Sequence, residues 1–135
     1  MLTLIRGLPG SGKSTYAKSL IKKGMKHFEA DMFHTKNGVY DWQPSKARQG
    51  HEWCLNQTRK FLEKGKRVIV SNTFTTYQEL APYLDMAEDL DVEVKIIKCV
   101  GEFGSVHGVP ESTLRKMADR WEDMQVEEVY DPLKE

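Results

Sequence analysis

The chain has 135 residues, 39% apolar and 30% charged, which suits one packed domain over 1–135 and excludes a disordered tail. No apolar run approaches the ~18–20 residues of a membrane span, so no membrane partner is expected, and the first residues hold no apolar segment of leader length. Two separated cysteines, Cys54 and Cys99, argue against a disulfide framework or a zinc site and lead to the expectation of a reducing, cytoplasmic setting. The net charge of zero hides an asymmetry, because 1–67 carries 14 Lys/Arg against 5 Asp/Glu and 68–135 carries 6 against 15. The basic half can attract phosphates or nucleic acid, or its charges mix with the acidic half once the chain folds.

Residues 1–6 predict a short buried strand, followed by a Gly-rich turn. A helix is predicted over 13–23, stopped by Gly24, then a short strand over 26–29. Residues 32–44, with Asn37-Gly38 and Pro44, predict a loop or a broken helix. Ser45 suits the N-cap of a long helix ending near Gly65, with Ala47, His51, Cys54, Thr58 and Phe61 or Leu62 facing inward. The β-branched run at 67–71 predicts a buried strand. A helix irregular around Pro82 is predicted over 76–90, and a strand over 92–100. Three glycines in 101–108 predict a loop able to move, and Pro110 suits the start of a last helix with Leu114, Met117 and Trp121 on one face. The tail 125–135 reads as a short strand or a cover over a nucleotide. Alternating strands and helices predict an α/β fold, a parallel sheet of four to five strands with helices on both faces.

The sharpest motif is Gly7-Leu8-Pro9-Gly10-Ser11-Gly12-Lys13-Ser14, a full G-x-x-x-x-G-K-[ST] between a predicted strand and a predicted helix. That context defines a P-loop, and the expected fold is therefore of the P-loop NTPase or kinase type. Glycines let backbone N–H groups wrap a phosphate with no Cβ in the way. The helix start adds its positive dipole end. Leu8 to Thr15 is the expected ATP site: Lys13 reaches the β- and γ-phosphates, Ser14 ligates Mg²⁺ and Thr15 bonds the α-phosphate.

Phosphoryl transfer also needs a base near the acceptor hydroxyl. Asp31 follows the second predicted strand and should project beside the phosphate loop, unless it is a surface or capping aspartate. The third strand ends in Ser71-Asn72-Thr73, where many P-loop enzymes carry an Asp for the metal's water shell. Asn72 can bond such water but brings no charge. Trp42 lies near Tyr40 in the loop after Asp31, where it stacks a base, packs in the core or sits on the surface.

GLPGSGKST at 7–15, Glu29-Ala30-Asp31-Met32-Phe33, GHEWC at 50–54, VIVSNTFT at 68–75 and HGVP at 107–110 form an ordered series over about 2–124. The series resembles the polynucleotide-kinase-like P-loop kinases, the phage-type polynucleotide 5′-hydroxyl kinase domain among them. The resemblance implies ATP and Mg²⁺ at Lys13 and Ser14, and Asp31 as general base for a 5′-hydroxyl. It also implies Asn72 and Thr73 near the phosphates and the acceptor, a short lid over 101–108, and Arg120 toward the nucleotide. Its partners are 5′ ends of DNA or RNA. At the family's arginine three residues past the base this chain has His34, carried over as a substrate contact together with Arg48. The family's lid arginines are missing before HGVP, so Arg6, Arg48 or Arg120 substitutes or turnover is slow. A nucleoside or small-molecule kinase, and an ATP-binding regulatory module, are the alternative functions. His51 and His107 are each open to a structural or a site role. The oligomeric state is not legible.

Overall fold

The computed structural model describes residues 1–102 and 109–132. Its main sheet holds β1 (Leu2–Arg6), β2 (Lys26–Phe28), β5 (Val68–Asn72), β6 (Val94–Cys99) and β7 (Glu127–Tyr130) in the order β2-β5-β1-β6-β7. Every neighbouring pair is parallel, with Arg6 level with Asn72 on one side and Lys98 on the other. The topology therefore sets β1 of the basic half between two strands of the acidic half, and the charge asymmetry is interleaved.

Parallel sheets need cover on both faces, and alternate side chains supply it here. Leu2, Leu4, Val68, Val70 and Ile96 pack with Cys54 and Leu62 of α2 (Ala47–Glu63) and with Leu80, Tyr83 and Met86 of α3 (Tyr77–Asp89). Ile5, Ile69, Ile97 and Cys99 form the other layer with Ala17 of α1 (Lys13–Leu20). The last helix, α4 (Glu111–Arg120), buries none of its residues fully. No helix among the described residues is long and apolar enough to cross a membrane.

Several expectations change in detail. Helix α1 stops at Leu20, because Ile21 turns extended (ψ 125°) and Gly24 takes a left-handed φ of 87° in the next turn. Ser45 does not cap α2; it lies inside a 3-10 turn, Pro44–Lys46, and Lys46 occupies the cap position with no side-chain bond. The buried stripe of α2 is Gly50, Cys54, Thr58 and Leu62, so His51 faces out. Thr76 and Glu79 form a reciprocal capping box, worth about 1 kcal/mol, that starts α3, and Pro82 sits inside that helix at the cost of one backbone bond.

The stretch 32–44 is neither plain loop nor helix. Its centre is a hairpin of β3 (Thr35–Lys36) and β4 (Val39–Tyr40). Asn37 (φ 52°) and Gly38 (φ 80°) make the tight turn, the left-handed pair that a two-residue hairpin demands. The C-terminal segment is a strand, and Arg6 ties it down: fully buried, its Nη1 donates to Glu127 at 2.8 Å beneath the Trp121 ring.

Candidate active site

The carboxyl ends of β1, β2 and β5 meet at a cavity of ≈ 1090 Å³. The phosphate loop forms its floor. A Cβ on Gly7 would collide with Ser11 Oγ and the Cys99 carbonyl, so only glycine lets the loop leave β1 there. Gly10 and Gly12 take left-handed φ values of 81° and 88°. Gly12 caps α1 without a side chain, and the first internal bond of the helix is Tyr16 N–H to the Gly12 carbonyl. The first-turn amides are thus left for an anion.

Lys13, Ser14 and Thr15 line the cavity beside Pro9, Gly10 and Gly12. Burial pulls the Lys13 ammonium below its usual pKa, while the Asp31 and Glu29 carboxylates push it back up. Leu8 and Ser11 of the expected ATP site are not among the residues that line the cavity: Ser11 is buried, and its N–H donates to the Leu8 carbonyl at 3.0 Å. The described start of the expected lid, Gly101, donates its N–H to the Ser11 carbonyl at 3.1 Å. Most of that lid, His107 included, lies outside the described residues.

Asp31 sits in a 3-10 turn, Ala30–Met32, directly after β2. The hairpin places Tyr40 so that its hydroxyl donates to Asp31 Oδ1 at 3.3 Å. Burial and that neighbouring carboxylate push the Tyr40 phenol up to about 12. Asn72 Oδ1 accepts from the Ala30 amide at 2.8 Å, and its Nδ2 points to Cys54 Sγ at 3.7 Å. Asn72 therefore holds the turn that presents Asp31. Thr73 lines the cavity too, and its carbonyl accepts from Gly7 N–H at 3.3 Å. His34 reaches the cavity from a buried position against Gly50, and burial keeps its imidazole pKa low.

The three candidate arginines separate cleanly. Arg6 is locked in its buried pair with Glu127 and Arg48 pairs with Glu52 on the exposed side of α2, so neither forms the cavity wall. Arg120 does line it, held by a 2.9 Å bond from Nε to Thr75 Oγ1. His51, expected inside, is exposed and forms part of the cavity wall, as does Trp42.

Sequence reasoning missed Glu29, Tyr40 and Tyr130. Glu29 Oε2 accepts from Ser14 Oγ at 2.7 Å and from Ser71 Oγ at 2.8 Å. Its one local signal was an acid at the end of the second predicted strand, at the carboxyl edge of the sheet; the 3-10 turn that starts at Ala30 breaks the strand alternation before Asp31. Tyr40 was announced by Asn-Gly, the hairpin signature. Tyr130 stacks on Tyr16 with ring centroids 3.8 Å apart and lines the cavity, a contact no local pattern encodes.

A five-stranded parallel sheet with a glycine-built phosphate loop and a cavity where Lys13 and Arg120 face several carboxylates defines a P-loop kinase-like domain, a fold that implies nucleotide binding. The chain belongs to the AAA_33 family, described as an AAA domain, which it matches over residues 2–101. It is 34% identical over 92 residues to NEDD4-binding protein 2 of Homo sapiens, covering 65% of this chain and 5% of that protein. It is 25% identical over 97 residues to the bifunctional polynucleotide phosphatase/kinase of Schizosaccharomyces pombe, covering 71% of this chain and 20% of that protein. The chain thus spans a small part of these relatives. Among solved structures it is similar to a sugar kinase from Janibacter sp., with a TM-score of 0.68 at 17% identity over 99% of this chain and 86% of the other.

Proposed function

We propose that this chain is an ATP-dependent kinase that transfers the γ-phosphate to the 5′-hydroxyl of a DNA or RNA end, with Mg²⁺ as cofactor. The observation that carries the reading is that Lys13, Ser14 and Asp31 share one cavity with Tyr40, Trp42 and His51. Its ≈ 1090 Å³ lies at the upper end of the ~300–1,000 Å³ typical of ligand pockets, a size that suits a nucleotide with part of an acceptor beside it. Trp42 is 47% exposed and offers a face on which an acceptor base can stack. The similarity to the fission-yeast polynucleotide phosphatase/kinase supports a nucleic-acid end over a free small molecule.

The loop amides and Lys13 would hold the ATP phosphates, and Arg120 would supply the cation that the lid sequence lacks. The Asp31 carboxylate, steadied by Tyr40, accepts the proton of the 5′-hydroxyl. The freed oxygen bonds the γ-phosphorus while the γ-phosphorus–bridging-oxygen bond breaks, and ADP departs. Among the described residues no three His, Cys, Asp or Glu side chains gather into a metal cage. A hydroxyl beside one carboxylate instead fits Mg²⁺, which keeps most of its waters and binds phosphates. Ser14 would hold that ion, which supplies charge neutralisation at the phosphates when bound.

The test offers γ-labelled ATP and Mg²⁺ with 5′-hydroxyl DNA and RNA oligonucleotides, beside a mixture of nucleosides and sugars. Label is expected on the oligonucleotide. Asp31→Asn should lower that labelling by ~10²–10⁴ while leaving ATP affinity within about twofold. Label confined to a small molecule would move the reading to a small-molecule kinase. ATP binding with no labelled acceptor would leave a nucleotide-binding regulatory module.

A further inference from the structure

We propose that Glu29, at the end of β2, supplies the carboxylate of the Mg²⁺–ATP site that P-loop enzymes commonly draw from the end of the strand here called β5. The inference rests on the nucleotide-binding part of the reading above and not on the acceptor.

Two observations converge on Glu29. The first is what occupies the usual position. Asn72 is uncharged, and both ends of its amide are engaged, Oδ1 by the Ala30 amide and Nδ2 by Cys54. Asn72 lines the cavity as well, but it brings no negative charge to a cation. The second is where the acid has gone. Glu29 lines the same cavity, its side chain is 15% exposed, and Oε2 lies 2.7 Å from Ser14 Oγ.

The direction of that hydrogen bond matters. A hydroxyl that ligates a cation must aim its proton away from the ion. Glu29 Oε2 accepts the Ser14 proton, which leaves the lone pairs of Ser14 Oγ to face the cavity. Among the described residues both serine hydroxyls bond Oε2, so Oε1 is left to accept from a metal-bound water. Ser71 Oγ, 2.7 Å from His27 Nε2 and 2.8 Å from Glu29 Oε2, braces the carboxylate from below. Ser71 directly precedes Asn72 on β5, so the strand that lost the acid still positions its replacement.

The test measures ATP affinity by titration calorimetry with and without Mg²⁺, for wild type, Glu29→Gln and Asp31→Asn. Glu29→Gln is expected to leave metal-free ATP affinity within about twofold and to abolish at least tenfold of the Mg²⁺ enhancement. Asp31→Asn is expected to keep that enhancement. Mn²⁺ in place of Mg²⁺ adds a spectroscopic readout: the resonance of the bound ion should change in Glu29→Gln and not in Asp31→Asn. Should Glu29→Gln fail to fold, Glu29→Asp carries the test, since it keeps the charge but withdraws it from Ser14 and should lose at least threefold of the enhancement. Unchanged Mg²⁺ enhancement in the folded Glu29 variant overturns the proposal. So does an enhancement lost in Asp31→Asn instead. A wild type that couples ATP to Mg²⁺ through Glu29 but labels no oligonucleotide would refute the acceptor and leave this inference standing.

Discussion

Replacing Glu127 with alanine strands a charge that the fold keeps dry. The Arg6 side chain is fully buried, and Glu127 is only 5% exposed. Nη1 of Arg6 donates to Glu127 Oε1 at 2.8 Å and Oε2 at 3.2 Å, while Nε and Nη2 share the Phe74 carbonyl at 2.9 and 2.6 Å. The Trp121 ring closes over the guanidinium at 4.1 Å. Water cannot easily replace the lost carboxylate, and Met124 N–H loses its 3.0 Å acceptor as well. Removing one partner of such a buried pair costs about 3–5 kcal/mol. A domain of this size has a stability on the order of 10 kcal/mol, so the variant still folds. With a urea slope of about 2 kcal/mol/M, the unfolding midpoint should fall by ~1.5–2.5 M. Glu127→Gln keeps an acceptor oxygen and should lose only ~1–2 kcal/mol. The same strand carries Tyr130, stacked on Tyr16 at the cavity, so ATP affinity should weaken together with stability in Glu127→Ala. A midpoint within about 0.5 M of wild type, on the same slope, would refute the argument that the pair is desolvated and fixes β7.

Arg120→Ala should lower phosphoryl transfer by ~10³–10⁵, the range for a transition-state arginine, with ATP affinity changed only a few-fold; unaltered single-turnover rates would sink that role. Gly50→Ala should destabilise by ~1–3 kcal/mol in thermal melts, because the new methyl meets His34 Nε2 at 2.6 Å. An unhindered helical Gly→Ala change gains about 1 kcal/mol, so the sign itself is the readout. His27 and His34 are held below the ordinary histidine value of 6.5, chiefly by burial. Below about pH 6.5 the unfolded chain therefore binds protons that the native state declines, and stability should fall with pH and recover above it. Urea midpoints at pH 5.5 and 7.5 check this, and His34→Gln should shrink the difference between them.

The phosphate loop was legible because its chemistry is local. Eight consecutive residues, Gly7 to Ser14, make the cradle, and glycines at 7, 10 and 12 are demanded by a collision and two left-handed φ values within the loop itself. The α/β class was legible for a similar reason, since β-branched runs and amphipathic helices alternate along the chain. Asp31 could be placed near the loop because a parallel sheet sends all its carboxyl ends to one edge.

Other parts had no local signal strong enough to decide them. Which face of α2 turns inward differs by one residue from the simple stripe, because Gly50 makes room for His34, a residue from another element. Which arginine reaches the cavity depended on Arg6 finding Glu127, a partner 121 residues away. The shift of the acid from β5 to Glu29 is invisible until β2 and β5 pair, with Phe28 level with Val70, and bring Ser14, Ser71 and Glu29 together. Sequence by itself determined the pieces whose geometry is set by a few adjacent dihedrals. Only the tertiary structure decided which charges are paired and which face the cavity, because electrostatic partners are chosen by distance in space and by the water that packing excludes.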